Sequence, residues 1–125
     1  MAKTIKVTVK MMQGLNYQYG AHLVLSESKF FGSEGKPITM YIVKDCYREK
    51  DGRFQDDELF RSTSLIYICY FMRELMFSMR GEDVPPIEGE LAEKWEYMRE
   101  RRGVEKSVKF MKEKYGHELQ DSIDR

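Results

Sequence analysis

Polar and apolar residues alternate in "KTIKVTVKM", where Ile5, Val7, Val9 and Met11 are separated by Thr4, Lys6, Thr8 and Lys10. A period of two is the pattern of a strand with one wet face, so a first strand is expected here. "QGLNYQYG" follows with Gly14, Asn16 and Gly20, residues that suit a turn. "AHLVLSESKFF" resumes strand composition, "GSEGKP" reads as a loop, and "ITMYIVKDCYRE" is rich in β-branched and aromatic residues. The polar "KDGRFQDD" ends that strand in a turn. Residues 1–57 are therefore expected to be mainly β, an antiparallel sheet of three to four strands.

The pattern changes in "ELFRSTSLIYICYFMREL", where hydroxyl residues lead into eight consecutive apolar ones, Leu65 to Met72. Ser62, Thr63 or Ser64 suits the cap of a helix, accepting the free backbone N–H groups of its first turn. This central helix is expected over 60–81, with Gly81 as its left-handed stop. "EDVPPIEG" is a rigid connector, because two prolines cannot continue a helix. Beyond it Leu91, Trp95 and Met98 form a narrow apolar stripe at i, i+4 and i+7. Gly103 breaks or caps that helix, and Val104, Val108, Met111 and Tyr115 repeat the stripe. Two C-terminal helices within 87–116 and a frayed tail over 117–125 complete one α+β domain.

A helix that is apolar on every face is buried on every face. One sheet and two thin amphipathic helices leave part of it uncovered, and each large apolar side chain left in water forfeits about 1.5 to 3 kcal/mol. A second copy of the chain would cover it, so a homo-oligomer through this helix is expected. The competing reading makes it the central helix of a monomer. The longest apolar run is about half of a membrane span, and the N-terminus lacks the charged-then-apolar pattern of a secretory signal. A cytoplasmic protein without a membrane partner is the expectation.

Composition narrows the chemistry. The 125 residues carry 21 Lys plus Arg against 21 Asp plus Glu, so no global basic field argues for long nucleic acid, and a local patch stays open. The basic residues of "MRERRGVEKSVKFMKEKYG" are interrupted by glutamates, which argues against nucleic acid there too. Cys46 and Cys69 lack the spacing of a disulfide framework or a metal pair. His22 and His117 have no nucleophile or carboxylate at a telling distance along the chain, so neither catalysis nor a zinc site is expected. Asp45, Asp56, Asp57 and Glu58 could in principle hold magnesium, but a charge run beside a turn reads more simply as a solvated face. No enzyme, metal or cofactor is expected.

Two places could bind an anion. Arg61 with Ser62 and Thr63 at the head of the apolar helix combines hydroxyl donors, free N–H groups and a guanidinium suited to phosphate, although a plain capping cluster explains the hydroxyls equally well. Arg99, Arg101 and Arg102 end the tryptophan helix, where the dipole favours cations in any case. If the connector folds that helix back, they could meet a phosphate with Arg61 or Arg73. Tyr67, Tyr70, Phe71, Trp95 or Tyr97 could then stack on a base.

The sequence of "KTIKVTVKM", "AHLVLSESKFF" and "ITMYIVKDCY", then "STSLIYICYFMRELMFSM" and a C-terminal segment with "YMRERRG", resembles the phage anti-Thoeris signal sponges of the first described type. The resemblance lies in size and element order over most of the chain. It implies an oligomer that sequesters, without cleaving, a cyclic ADP-ribose isomer or a cyclic oligonucleotide, and so counters a host immune pathway. It further implies that Arg61, Arg73, Arg99, Arg101 and Arg102 serve phosphates, and that Phe71, Tyr70 and Trp95 serve the base. Asn16 is the sole asparagine, leaving little choice for amide recognition of a base. The other class is a phage or mobile-element protein–protein inhibitor or adaptor that presents its apolar helix to a host protein.

Overall fold

The computed structural model describes the backbone of residues 2–123 and the side chains of residues 3–116. The chain is α+β, with α1 (Ala2–Tyr19), β1 (Leu23–Phe31), β2 (Pro37–Arg48), β3 (Phe54–Ser62), α2 (Leu65–Met79), α3 (Leu91–Arg101) and α4 (Val104–Ile123). The three strands form one antiparallel sheet in the order β1-β2-β3, and the long apolar helix and two amphipathic helices follow it. The frayed tail expected from residue 117 is not what the backbone shows, because α4 continues to Ile123; residues 124–125 lie outside the described residues.

The N-terminal segment is the main departure from the pattern reading. "KTIKVTVKM" is not a strand, and "QGLNYQYG" is not a turn; both belong to α1. Thr8, Met12, Leu15 and Tyr19 are buried while Val7 is 45 % exposed, so the burial follows steps of three and four residues rather than two. The alternation of Ile5 to Met11 is real in sequence but too short to outweigh a helical seam that runs on to Tyr19. Buried Thr8 satisfies its hydroxyl by donating to the Thr4 carbonyl at 2.7 Å. Gly20, with φ of 73°, ends the helix in a conformation that other residues adopt only with strain.

In the sheet, β2 is central, pairing Leu23 to Phe31 of β1 with Asp45 to Pro37, and Tyr41 to Arg48 with Ser62 to Phe54 of β3. "FQDDELFRS" is thus a strand, and the turn lies just before it, so the helix expected from residue 60 starts at Leu65. A bulge between Val43 and Lys44 places Leu59 opposite no partner. The extra residue lets consecutive Leu59 and Phe60 both be buried, at 4 % and 2 % exposure. The bulge carbonyl of Leu59 accepts a 2.6 Å hydrogen bond from the Ser107 hydroxyl, which ties α4 to β3.

None of the 15 residues of α2 is exposed. Ile68, Phe71, Met72 and Leu75 are sealed between α1, α4, β2 and β3. The cover that the pattern reading lacked is supplied by α1, which the alternation disguised as a strand, so a second copy is not required to bury this face of α2, although Ile66, Tyr67 and Tyr70 stay half-buried. The Tyr19 hydroxyl donates to the Met79 carbonyl at 2.9 Å, joining the C-terminal ends of α1 and α2. No helix among the described residues is long and apolar enough to cross a membrane. The stripe of α4 holds as read, with Val104, Val108, Met111 and Tyr115 all buried, whereas in α3 Trp95 is buried and Leu91 and Met98 are half-buried. Gly103, at φ of 65°, makes the joint between the two helices.

Candidate anion site at the joint of α3 and α4

The residues expected to form one site are distributed over four environments. Arg61 lies in β3, and its guanidinium pairs with Glu58, Nε donating at 2.8 Å to Oε2. The hydrogen bonds from Arg61 hold the Glu58 carboxyl below its ordinary range, and Glu58 in turn raises Arg61. Ser62 is buried at the end of β3, and its Oγ accepts the Ser64 N–H at 3.0 Å. The cap position of α2 is Ser64, which makes no side-chain cap bond, and Thr63 is exposed. The hydroxyl cluster therefore shapes the strand-to-helix turn, a role distinct from both the cap and the phosphate cradle expected of it.

Phe71 and Trp95 belong to the core. Phe71 is fully buried and stacks on Phe60, with centroids 4.9 Å apart and planes 5° apart. Trp95, 5 % exposed, packs against Phe60, Tyr67 and Tyr70. Their spacing in sequence is that of any core aromatic on a helix, and tertiary packing assigns them to the interior.

Arg73 and Arg99 reach the cleft between α2, α3 and the proline connector, a hollow of ≈ 230 Å³ that Tyr70, Pro85 and Trp95 also line. Arg73 donates to the Pro85 carbonyl at 2.6 Å and so fastens the connector. Arg99 donates through Nε to both oxygens of Glu74, at 2.7 and 2.9 Å, and lies within 3.6 Å of Glu96 and 3.3 Å of Glu105. The Glu74 carboxylate, only 7 % exposed, raises the Arg99 guanidinium above its usual range despite burial. Glu74 sits inside the apolar helix, so Arg99 is its compensating charge.

Arg101 and Arg102 remain at the joint. With Arg99, Gly103 and Lys106 they line an open hollow of ≈ 620 Å³, together with Glu96, Glu100 and Glu105. Arg101 donates to the Tyr97 hydroxyl at 3.1 Å and sits 6.0 Å from that ring's centre. Neither Arg101 nor Arg102 forms an ion pair among the described residues. The field of Arg102 also contributes to lowering Glu58, which places this joint near the Arg61–Glu58 pair on β3. The positive end of α4 meets the negative end of α3 here, so the attraction for an anion rests on the Arg101 and Arg102 guanidiniums.

Of the acidic run, Asp56 and Glu58 are exposed and Asp57 half-buried, as a solvated face would have them, and only Asp45 departs from that expectation. Asp45 is fully buried. Its Oδ1 accepts the His22 N–H at 2.9 Å, and its Oδ2 accepts Lys114 Nζ at 2.6 Å and the Tyr115 hydroxyl at 2.5 Å. Burial alone would raise this carboxyl; the hydrogen bonds from Lys114, Tyr115 and His22 outweigh it and hold Asp45 below its ordinary range. Burial would depress Lys114, yet Asp45 and Asp57 raise it. Tyr115 is pushed well above its ordinary value by burial and by Asp45. Lys114 Nζ also lies 3.7 Å from the centre of the Tyr47 ring and 3.3 Å from Asp57. Asp56 pairs with Lys44 and Glu58 with Arg61, while Asp45 and Asp57 share Lys114, so every carboxylate of the run is paired. Nothing in the spacing of Asp45 from Lys114, 69 positions apart, marks this network. Compared with family models, with curated proteins and with solved structures, the chain matches none.

Proposed function

We propose that the chain is a non-enzymatic binder of a small phosphorylated nucleotide, such as a cyclic ADP-ribose isomer or a cyclic oligonucleotide, held at the α3–α4 joint so that the signal is withdrawn from a host pathway. One observation carries the reading: Arg99, Arg101, Arg102 and Lys106 share a hollow of ≈ 620 Å³, within the size range of small-ligand sites. Arg101 and Arg102 would clamp the phosphate, because guanidinium forks match its oxygens. Tyr97, 62 % exposed beside Arg101, is the aromatic surface available to a base, in place of Phe71 and Trp95. Arg99 and Arg73 would act by holding α3 and the connector, since their donors already serve Glu74 and Pro85. Sequestration requires affinity and no general base.

Thermal unfolding with cyclic ADP-ribose isomers and cyclic di- and trinucleotides tests this. A ligand at about 100 times its dissociation constant adds about 2.7 kcal/mol to the folded state. The expected result is a raised midpoint with one of these ligands, lost when Arg101 and Arg102 are both replaced by Ala. No shift across the set, or a shift that the double substitution leaves intact, sinks the reading.

A second reading, a protein–protein adaptor, is favoured by the β1–β2 hairpin rather than by α2. Residues 28–31 and 37–40 pair only with each other, beyond the end of β3. Phe30 and Phe31 are 42 % and 76 % exposed there. A two-stranded ribbon is marginal by itself in water, so a protein surface that covers it would be stabilising. Replacing Phe30 and Phe31 by Ser separates the readings, because a nucleotide shift would survive it.

A further inference from the structure

Helix α1 carries a charge pattern that the zero net charge of the chain conceals. All 21 acidic residues lie outside it, and Lys3, Lys6 and Lys10 lie within it. At 100° per residue, Lys3, Lys6, Lys10, Gln13 and Tyr17 fall within an arc of about 80° along about 21 Å of helix. This arc is opposite the buried Thr8, Met12, Leu15 and Tyr19. All five residues are exposed, Tyr17 to 94 %, and none of the three lysines forms an ion pair among the described residues.

The row is unfavourable for the helix alone. Lys3 to Lys6 is an i,i+3 pair and Lys6 to Lys10 an i,i+4 pair, and like charges at these spacings repel. Lys3 and Lys6 also stand near the positive end of the helix, where the dipole favours anions. No carboxylate in α1 offsets either effect. A polyanion laid along the row relieves both.

The neighbours of α1 narrow the polyanion. Its apolar side is taken up by α2, β1 and α4, so it has no face left to sink into a lipid surface. A B-form major groove about 8.5 Å deep admits a helix that protrudes, whereas Val9 and Asn16 on one side of this row and Thr4 and Met11 on the other are half-buried against the domain. Single strands need a track of stacking aromatics, and Tyr17 is the one aromatic on this row. The minor groove of A-form RNA is wide and shallow and shows phosphates and 2′-hydroxyls to a helix presented broadside. Lysines followed by an amide and a phenol fit that display. We infer that the exposed face of α1 is a docking surface for double-stranded RNA, read by shape and backbone through Lys3, Lys6, Lys10, Gln13 and Tyr17. It acts independently of the α3–α4 joint.

The test is fluorescence anisotropy of the full chain with a labelled RNA duplex of about 20 base pairs, long enough to present successive minor grooves, over a range of salt. Wild-type protein should bind with affinity that falls steeply between about 50 and 200 mM salt. Replacing Lys3, Lys6 and Lys10 together by Gln should lower the slope of log affinity against log salt by about 3, and Lys6→Gln alone by about 1. The pair Lys109→Gln and Lys112→Gln on α4 should leave binding within about twofold. Circular dichroism checks that each variant keeps its helices, and the single variant decides the matter if the triple one does not. The inference is overturned by absence of duplex binding at low salt or by a slope unchanged in the lysine variants. Tighter binding to duplex DNA of the same length, or to vesicles rich in anionic lipid, overturns it equally.

Discussion

Replacing Asp45 by Ala probes the polar network that joins β2 to α4. The wild-type carboxylate is fully buried and accepts hydrogen bonds from Lys114, Tyr115 and the His22 N–H. Removal leaves a buried phenol and a backbone N–H without their acceptor, at about 1 kcal/mol or more each. It also leaves the Lys114 ammonium, 21 % exposed, without its nearest counter-charge. Breaking a buried pair from one side costs about 3 to 5 kcal/mol. Asp57 at 3.3 Å and the Tyr47 ring at 3.7 Å still face the ammonium, which moves the expected total to about 3 to 4 kcal/mol. In urea, where small proteins lose about 1 to 3 kcal/mol per molar, this is a fall in midpoint of about 2 M, measurable by far-ultraviolet circular dichroism. The same substitution in a Lys114→Met background should cost about 2 kcal/mol, the share of the phenol and the N–H, because no ammonium is then orphaned. A loss under about 1 kcal/mol for Asp45→Ala, or an equal loss in both backgrounds, would refute the reasoning.

Three further outcomes follow from the same geometry. Asp45 is held below its ordinary value near 3.9, so its contribution is complete above that pH and is lost as pH falls through the depressed folded value. Lys114 and Tyr115 are raised, so theirs is complete below about pH 10 and is lost as pH rises further; burial also raises the Cys46 thiol, so denaturant midpoints should be flat only from about pH 4 to about pH 8.5 and fall outside that window. Phe71→Ala should destabilise by about 3 to 5 kcal/mol in chemical unfolding while leaving the exposed arginines untouched, whereas a ligand-stacking residue would show its loss in binding. Ser107→Ala removes the donor to the Leu59 bulge carbonyl and should cost about 1 to 2 kcal/mol, with amide exchange in β3 accelerating near Leu59.

The stripe of Trp95, Val104, Val108 and Met111 was legible because helical spacing selects one face whatever that face meets. The strands of "LVLSESKFF" and "PITMYIVKDCYR" were legible from β-branched and aromatic content. The segment "FQDDELFRS" was not, because its bulge breaks the alternation that marks a strand, and a charged edge resembles a turn. Of the candidate site, Arg99, Arg101 and Arg102 do share one hollow. Arg61 and Ser62 went elsewhere because their partners, Glu58 and the Ser64 N–H, are local and compete for the same donors and acceptors.

By composition and periodicity alone the chain declares its α+β class, its proline connector, the glycine joints at Gly81 and Gly103, and an apolar helix that demands cover on all sides. What supplies the cover was decided in three dimensions. Nine residues of "KTIKVTVKM" satisfy a period of two and a period near three and a half at once, and only the pocket left open beside α2 selects between them. The same holds for charge: sequence counts acids and bases, whereas folding pairs Asp45 with Lys114 and Glu74 with Arg99, and leaves the lysines of α1 facing water. Pairing depends on distances that chain order does not encode, so the free cations, and with them the candidate binding surfaces, emerge only from the tertiary structure.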